Sequence, residues 1–157
     1  DSGTILVEDG NSRTFSDPKG FAVIDSTLYF TTYDETILGG LWKTDGSSSG
    51  TALIKAGIAG SPWSSKPASE LKAVGSDLYF SNYTIEWGLE LWKHDSESGN
   101  TGIVKDIAPG ESYGTKNGSY PDRFASSGST LNFCCRNWKR TRCTLEIRWH
   151  RKWNNTC

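Results

Sequence analysis

The sequence predicts an all-β protein built from tandem units of about 50 residues, each containing four short strands. Short apolar runs rich in Tyr, Phe and Trp alternate with turns rich in Gly, Ser and Asp, a pattern typical of strands. The runs recur at a fixed offset: Leu28-Tyr29-Phe30 returns as Leu78-Tyr79-Phe80, and Leu41-Trp42-Lys43 returns as Leu91-Trp92-Lys93. Repetition at this period indicates a tandem array.

The copies divide the chain into four parts. The opening "DSGTILVEDG" matches the end of a unit, "SSGTALIKAG", and "PDRFASSGSTLNF" from Pro121 parallels "PKGFAVIDSTLYF" from Pro18. Residues 1–25 therefore hold the end of one unit and the first strand of the next. Residues 26–75 and 76–130 are repeat units, and 131–157 start a further unit before they diverge. We expect the chain to be a fragment of a longer array.

Each unit is predicted to form its strands in the same order: 21–25, 28–33, 40–44 and 51–55 in one unit, and 71–74, 78–83, 89–94 and 101–106 in the next. The glycine of "VGSD" suits a tight hairpin turn, because it tolerates positive φ. In "TDGSSSGT", Asp45 can accept backbone N–H groups, while Gly46 and Gly50 take conformations that a Cβ would resist.

The middle strands are apolar on both faces, because Leu28, Tyr29 and Phe30 are consecutive, as are Leu41 and Trp42. A sheet with one wet face would alternate more cleanly. The pattern suits sheets packed between neighbours, as in the blades of a β-propeller, so we predict a partial propeller of two full blades plus fragments. A solenoid and two stacked sandwich-like sheets are the alternatives. Trp42 and Trp92 are expected to pack between blades.

Two segments carry a family resemblance. "GLELWKHDSESGNTGIVKDIAPGES" from Gly88 and "GGLWKTDGSSSGT" from Gly39 resemble the ELWxxDGT-repeat family, and the resemblance covers residues 1–133. It implies secreted or surface-exposed bacterial proteins with propeller-like repeats and no established catalytic residues. The residues that match its structural motif are Leu41, Trp42, Asp45, Gly46, Gly50, Leu91, Trp92 and Asp95.

The chain departs from that family's pattern at three positions. Gly40 stands where the family has a glutamate, Ser96 replaces the turn glycine, and Asn100 replaces the glycine before Thr101. A ligand role for the turn is therefore not expected to be uniform along the array.

The tail after Phe133 differs from the rest of the chain. Residues 1–133 contain 10 Lys+Arg and 17 Asp+Glu, whereas 134–157 contain 7 basic residues, one glutamate and all four cysteines. A zinc site or a nucleic-acid patch would suit such a composition. Cys134, Cys135, Cys143, His150 and Cys157 lack paired metal-ligand spacing, however, and we expect neither zinc nor nucleic acid as a partner. The tail is predicted to be irregular.

A one-base slip in the coding DNA would explain the divergence. The spacing of the first two copies places a tryptophan at position 145, where the chain has Leu145. Because tryptophan has the single codon TGG, a reading frame shifted by one base forces glycine at positions 149 and 153, which align with Gly46 and Gly50. The shifted frame also permits Leu-Trp-Lys at 144–146. We predict that 134–157 is an out-of-frame translation of the repeat.

The body of the chain offers little catalytic chemistry. Asp77, Glu86 and Glu90 could supply the carboxylate pair of a glycosidase, but they are scattered and are expected to be solvated surface charges. His94 is likewise expected at the surface. Weak candidates for calcium ligands are Asp45 and Asp106, since hard cations prefer oxygen ligands.

A binding function follows from what remains. Trp63 and Trp87 do not recur, lie in loops, and are the candidates for a sugar- or partner-binding surface. We expect a non-catalytic extracellular scaffold for binding or adhesion, without a cofactor or membrane span. Its expected partners are the missing blades, and glycans or surface proteins. The competing classes are a sialidase- or glycosidase-like propeller enzyme and a nucleic-acid- or zinc-binding tail.

The gene itself tests the frameshift hypothesis. We expect one extra base at or near the codon for Phe133, such as an added T in a run of T. Resequencing of the genomic locus is the measurement, and the corrected frame should restore Leu-Trp-Lys and both glycines. Genomic DNA that encodes the present tail without any such base would show that the basic tail is genuine protein.

Overall fold

The computed structural model describes residues 7–11, 15, 17–33, 37, 39–58, 68, 70–136 and 142–148, with 136 and 142–148 described by their backbone alone. Thirteen strands and no helix are present in these ranges. All strand pairs are antiparallel. The predicted all-β class is confirmed.

Two four-stranded sheets form from consecutive strands. The first sheet contains β1 (Lys19–Ile24), β2 (Thr27–Thr32), β3 (Gly40–Thr44) and β4 (Ala52–Ala56). The second contains β5 (Leu71–Val74), β6 (Asp77–Thr84), β7 (Gly88–Asp95) and β8 (Thr101–Lys105). In both sheets each strand pairs with the next one along the chain, so the predicted four-stranded repeat is confirmed. The predicted tight turn is present as well, with Val74 opposite Asp77 and Gly75 at φ 61°.

A short hairpin between the second and third sheets was missed from the sequence. It pairs β9 (Glu111–Ser112) with β10 (Thr115–Lys116). Its two-residue turn places Tyr113 and Gly114 at φ 53° and 75°. The strands are only two residues long and have no apolar alternation, so nothing in the local pattern distinguishes them from a loop.

The third sheet has three strands: β11 (Asp122–Ser127), β12 (Thr130–Arg136) and β13 (Arg142–Arg148). The prediction that the tail is irregular is therefore wrong for Arg142–Arg148. Strand β13 pairs with β12 so that Leu145 lies opposite Phe133, as Trp42 lies opposite Phe30 in the first sheet. The alternating sequence "TLEIR" suits a strand, and pairing satisfies backbone groups along the edge of β12.

Neighbouring sheets pack face to face and use opposite faces. In the first interface, Tyr29 and Leu41 of the first sheet share a core cluster with Leu78, Phe80 and Trp92 of the second. In the second interface the corresponding residues of the second sheet, Tyr79 and Leu91, share a cluster with Phe124, Leu131 and Phe133 of the third. We call the side that carries Tyr29 or Tyr79 the tyrosine face, and the side that carries Phe80 or Phe133 the phenylalanine face. Each tyrosine face covers the phenylalanine face of the next sheet.

Hydrogen bonds repeat at the same places in both interfaces. The Thr31 hydroxyl in β2 donates to the Ala68 carbonyl at 2.6 Å, just before the second sheet begins. The Ser81 hydroxyl in β6 donates in the same way to the Pro121 carbonyl, just before the third. The first strands of the sheets also lie side by side, β1 near β5 and β5 near β11. The repeat therefore extends from sequence and sheet to the joint between sheets.

A pair of leucine substitutions tests the interface between the first two sheets. Leu41→Ala should lower the free energy of unfolding by about 2–5 kcal/mol, because Leu41 is fully buried between two sheets that cannot close the cavity. Leu53→Ala, at a residue of β4 that is 39% exposed, should cost about 1 kcal/mol or less. Urea denaturation measures both. Equal losses in the two variants would contradict the stacking.

Candidate functional site

In the turns that follow β3 and β7, the aspartate side chain accepts hydrogen bonds from residues of its own turn. Asp45 Oδ1 accepts from the Ser47 backbone N–H at 2.9 Å and from the Ser47 hydroxyl at 2.7 Å. Asp95 Oδ1 accepts from the backbone N–H groups of Glu97 at 3.0 Å and Ser98 at 3.1 Å. These hydrogen bonds hold the pKa values of both carboxyls below their ordinary range. The largest effect comes from the Ser47 hydroxyl at Asp45 and from the Ser98 backbone N–H at Asp95. Both aspartates stabilise turns.

The glycines of the first turn are required by this arrangement. Gly46 lies at φ 96°, a conformation that L side chains rarely adopt. A Cβ at Gly50 would overlap the Asp45 carboxylate, although Gly50 itself does not lie at positive φ. The Asp-Gly-x-x-x-Gly spacing therefore follows from one carboxylate folded back over its own turn.

His94 is not the surface residue expected from its sequence neighbours. It is only 5% exposed, and its Nδ1 lies 2.8 Å from the Thr101 hydroxyl. The same place in the first sheet has a bond of 2.7 Å between the hydroxyls of Thr44 and Thr51. The His94 ring also lies 5.8 Å from that of Tyr29 in the first sheet, and burial lowers its pKa. His94 therefore stabilises the turn between β7 and β8, next to the interface with the first sheet.

Glu90 is also not a solvated surface charge, which corrects the expectation from the sequence. Its side chain is fully buried. The Ser119 hydroxyl donates to Oε2, and the Ala108 backbone N–H donates to Oε1 at 3.1 Å. Burial raises the pKa of Glu90 to about 7, despite these donors. The carboxyl group thereby connects β7 to the segments on both sides of the β9–β10 hairpin.

The first sheet makes the equivalent connection without a carboxylate. Gly40 occupies the position of Glu90, and a Cβ there would lie 2.6 Å from Trp42 Nε1, so the surrounding side chains would have to shift to admit one. The segment after β4 binds the strand backbone instead: the N–H groups of Gly57 and Ile58 donate to the Gly39 carbonyl at 2.9 and 3.3 Å. Backbone hydrogen bonds to Gly39 thus replace, in the first sheet, the connection that Glu90 makes in the second.

Asp77 is the third residue whose environment the sequence did not predict. It is 0% exposed, and its Oδ2 accepts from Lys93 Nζ at 3.0 Å and from the Tyr79 hydroxyl at 3.1 Å. Burial and the neighbouring carboxylate raise the pKa of Tyr79. Nothing in the local pattern indicates this burial, since Asp77 follows a turn and its counterpart in the first sheet is Thr27.

Asp77 and Glu90 do not form a glycosidase pair. Glu90 lies opposite Asn82, five positions along β6 from Asp77, and the odd difference places the two carboxylates on opposite faces of the sheet. At about 3.3 Å per residue the separation along the strand alone is about 17 Å. Glycosidase carboxylates lie about 5–9.5 Å apart. Glu86, the remaining candidate, is exposed in the β6–β7 turn.

The repeated Leu-Trp pairs lie in the interior. Leu41 and Leu91 are 0% exposed, and Trp42 and Trp92 are 3% and 8% exposed. Lys55 Nζ lies 5.5 Å from the centre of the Trp92 ring, within cation–π range.

The unrepeated tryptophans are placed differently. Trp87 is 39% exposed in the β6–β7 turn, where its N–H donates to the Thr84 hydroxyl at 3.2 Å. Trp63 lies outside the described residues. Trp87 is therefore the one binding candidate that the structure can place at the surface.

No group of three or more His, Cys, Asp or Glu side chains within the described residues is arranged to hold a metal ion. Asp45 accepts hydrogen bonds within its own turn, and the Glu111 carboxylate pairs with Lys116 at 2.7 Å. Of the tail cysteines, Cys135 is 3% exposed and Cys134 is half-buried. His150 and Cys157 lie outside the described residues.

These features define the class of the protein: an all-β tandem repeat in which four-stranded antiparallel sheets stack on one another. Comparison with known proteins takes the identification no further, since no family model matches the chain and no curated protein matches it. In the part of the chain that the structure describes, no helix is long and apolar enough to cross a membrane.

The buried Glu90 should give the protein a measurable pH dependence. Because its folded pKa of about 7 exceeds the ordinary value of 4.5, the folded state binds the proton more tightly, and the free energy of unfolding falls as pH rises between these values. Glu90→Gln is neutral throughout and should lack this effect. Between pH 5 and pH 8 the wild type should lose about 2 kcal/mol relative to the variant.

Urea denaturation of both proteins at the two pH values is the measurement. The difference between them isolates Glu90, because His94, whose lowered pKa acts in the opposite direction, titrates in both. Parallel stability profiles for the wild type and Glu90→Gln would contradict the buried carboxyl.

Proposed function

We propose that the chain is part of a non-catalytic, extracellular repeat scaffold with a propeller-like arrangement, used for binding or adhesion. One observation carries the proposal: two successive interfaces join a tyrosine face to a phenylalanine face in the same orientation. The same contact between a tyrosine face and a phenylalanine face can form again at either end of the array. It supports a longer stack whose further units are the chain's principal partners.

The first sheet supports a preceding unit. Its phenylalanine face carries Phe30 and Trp42, and Phe15 contacts their rings at 5.0 and 4.8 Å. On β1, however, Phe21 and Val23 remain 58% and 57% exposed. Apolar side chains on a strand that borders an interface favour coverage by another unit.

The adjacency of first strands supports a radial rather than a linear stack. Glu70, just before β5, accepts from the backbone N–H groups of Arg123 and Phe124 in β11 at 3.0 and 2.8 Å. In a propeller the first strand of each blade lies nearest the axis, so contacts between successive first strands are expected there.

The part of the proposal that concerns secretion or display on a bacterial surface rests on the ELWxxDGT resemblance of residues 1–133. The non-catalytic character is supported by the use of Asp45, Asp95 and Glu90 as internal hydrogen-bond acceptors. The ligand-binding candidate is the exposed Trp87, whose ring suits a sugar or a protein surface.

The competing proposal is a glycan-active enzyme, and one experiment separates the two. The chain is incubated with an array of bacterial and host-type glycans, and the bound and released sugars are analysed by mass spectrometry. The scaffold proposal expects retention of intact glycans. Release of shortened glycans would support the enzyme instead.

The exposed tryptophan gives a matched pair of variants. Trp87→Ala should weaken binding to the retained ligand by about five- to tenfold through loss of ring contact, and should change the free energy of unfolding by about 0.5 kcal/mol or less. Ile85→Ala, 85% exposed in the same turn, is the control and should bind like the wild type. Surface plasmon resonance measures both. Equal affinity of Trp87→Ala and the wild type would exclude this surface.

A further inference from the structure

The third sheet places two of the four cysteines directly opposite each other. In the antiparallel pairing of β12 with β13, Cys135 is the partner of Cys143. Directly opposite residues of an antiparallel pair belong to the same face of the sheet, and their Cα atoms lie about 4.5 or 5.5 Å apart, depending on the type of pair. A disulfide spans a Cα separation of about 4.4–6.8 Å. The backbone therefore suits this bond in the register that it already has.

The register distinguishes this pairing from the one that involves the neighbouring cysteine. Cys134 lies opposite Thr144, and because successive residues of a strand alternate between faces, Cys134 does not share a face with Cys143. Cys157 lies outside the described residues. Among the cysteines that the structure describes, the backbone thus favours a bond between Cys135 and Cys143.

The same position is buried in all three sheets. Two residues beyond the repeated phenylalanine of each middle strand, the first sheet has Thr32 opposite Gly40, the second has Asn82 opposite Glu90, and the third has the cysteine pair. Thr32, Asn82 and Cys135 are 2%, 0% and 3% exposed. Reduction of a disulfide requires access for an attacking thiolate. A bond at this position is therefore shielded from external reductants once it has formed.

The second and third sheets use this position for different connections. In the second sheet Glu90 accepts from the Ser119 hydroxyl and from the Ala108 N–H, and so holds the segments that follow β8. The third sheet has no carboxylate there. Within the described residues its β13 is an edge strand, with β12 as its neighbour. A covalent bond to β12 would hold that edge in place.

We propose that Cys135 and Cys143 are a disulfide site that fastens β13 to β12 when the chain meets an oxidising environment. Cys135 is a free thiol in the structure. The oxidant is a low-molecular-mass disulfide such as oxidised glutathione. One cysteine thiolate attacks it and releases one glutathione, and the second cysteine thiolate then displaces the other glutathione from the mixed disulfide. The two protein thiols are oxidised to one disulfide, and the glutathione disulfide is reduced to two thiols that take up both protons.

The inference rests on the proposed function for its oxidising, extracellular environment alone, because disulfides persist there and are rare in the cytosol. Both cysteines belong to the sequence as translated, so the chemistry does not depend on whether the gene carries an extra base.

Peptide mapping of the 157-residue chain tests the pairing. The protein is reduced, denatured and refolded in a buffer of reduced and oxidised glutathione, and the remaining thiols are alkylated. Trypsin cleaves after Arg136 and Arg142, so the two cysteines fall on separate peptides, 124–136 and 143–148. Mass spectrometry without reduction should find these two peptides joined. The same digest of the folded chain, oxidised without prior denaturation, keeps the test independent of refolding.

Two neighbouring cysteines provide matched variants. Cys135→Ser removes a member of the proposed pair and should lower the yield of the joined peptides by about tenfold or more. Cys134→Ser is the control: it removes the cysteine of the opposite face and should leave the yield within about twofold of the wild type.

Hydrogen exchange measures the effect on the strand. In Cys134→Ser, oxidation should slow exchange of the amide hydrogens of 143–148 by about tenfold or more, since the bond opposes local separation of β13 from β12. Addition of dithiothreitol should reverse this protection. In Cys135→Ser neither treatment should change it, and the amides of β2 should be unaffected in both variants.

The proposal would be overturned by the absence of the joined peptides in the wild type, by their persistence in Cys135→Ser, or by a dominant bond through Cys134 or Cys157. Exchange in 143–148 that oxidation leaves unchanged would contradict the fastening of β13. These experiments are made in solution with defined oxidants, so their failure leaves the scaffold proposal standing. Conversely, failure of the glycan experiment would leave the disulfide standing.

Discussion

The structure depends on middle strands that are apolar on both faces. Tyr79 and Phe80 are consecutive in β6, so they point to opposite sides, and each side must be covered by a different sheet. One sheet cannot meet this condition alone, and two sheets leave an outer face apolar. Stacking in a single direction satisfies it at every internal position, because each tyrosine face covers the next phenylalanine face. The connecting segments, with their repeated hydroxyl-to-carbonyl bonds, keep that direction constant.

The polar residues follow from the same geometry. An array of short strands contains many turns and connectors, whose backbone N–H groups need acceptors. Asp45 and Asp95 accept such bonds within exposed turns, and Glu70 and Glu90 accept them where connecting segments meet the sheets. Glu90, one of the glycosidase candidates from the sequence, therefore serves the scaffold. Asp77 differs because one of its oxygens accepts nothing. Its other oxygen accepts from Lys93 and from the Tyr79 hydroxyl, so this carboxylate also holds β6 and β7 together.

Local patterns predicted the repeat well. The strands of the first two sheets, the tight turn at Gly75 and the spacing of the Leu-Trp pairs all follow from apolar runs and turn residues, which act over a few positions. The burial of Asp77, Glu90 and His94 could not be predicted from such local patterns. Each is charged or polar and has polar neighbours in sequence, so local reasoning places it in water. Strand β13 depends on both levels: its alternating sequence suits a strand, and the free edge of β12 supplies the partner that it pairs with.

The sequence by itself determined the period, the strand order within a unit and the need of each sheet for two neighbours, because these depend on side chains close together in the chain. The tertiary structure alone decided which face meets which, which carboxylates lose their water, and that Cys135 lies opposite Cys143. Those properties arise between residues of different strands and sheets, where burial is set by what covers a side chain and not by its neighbours in sequence.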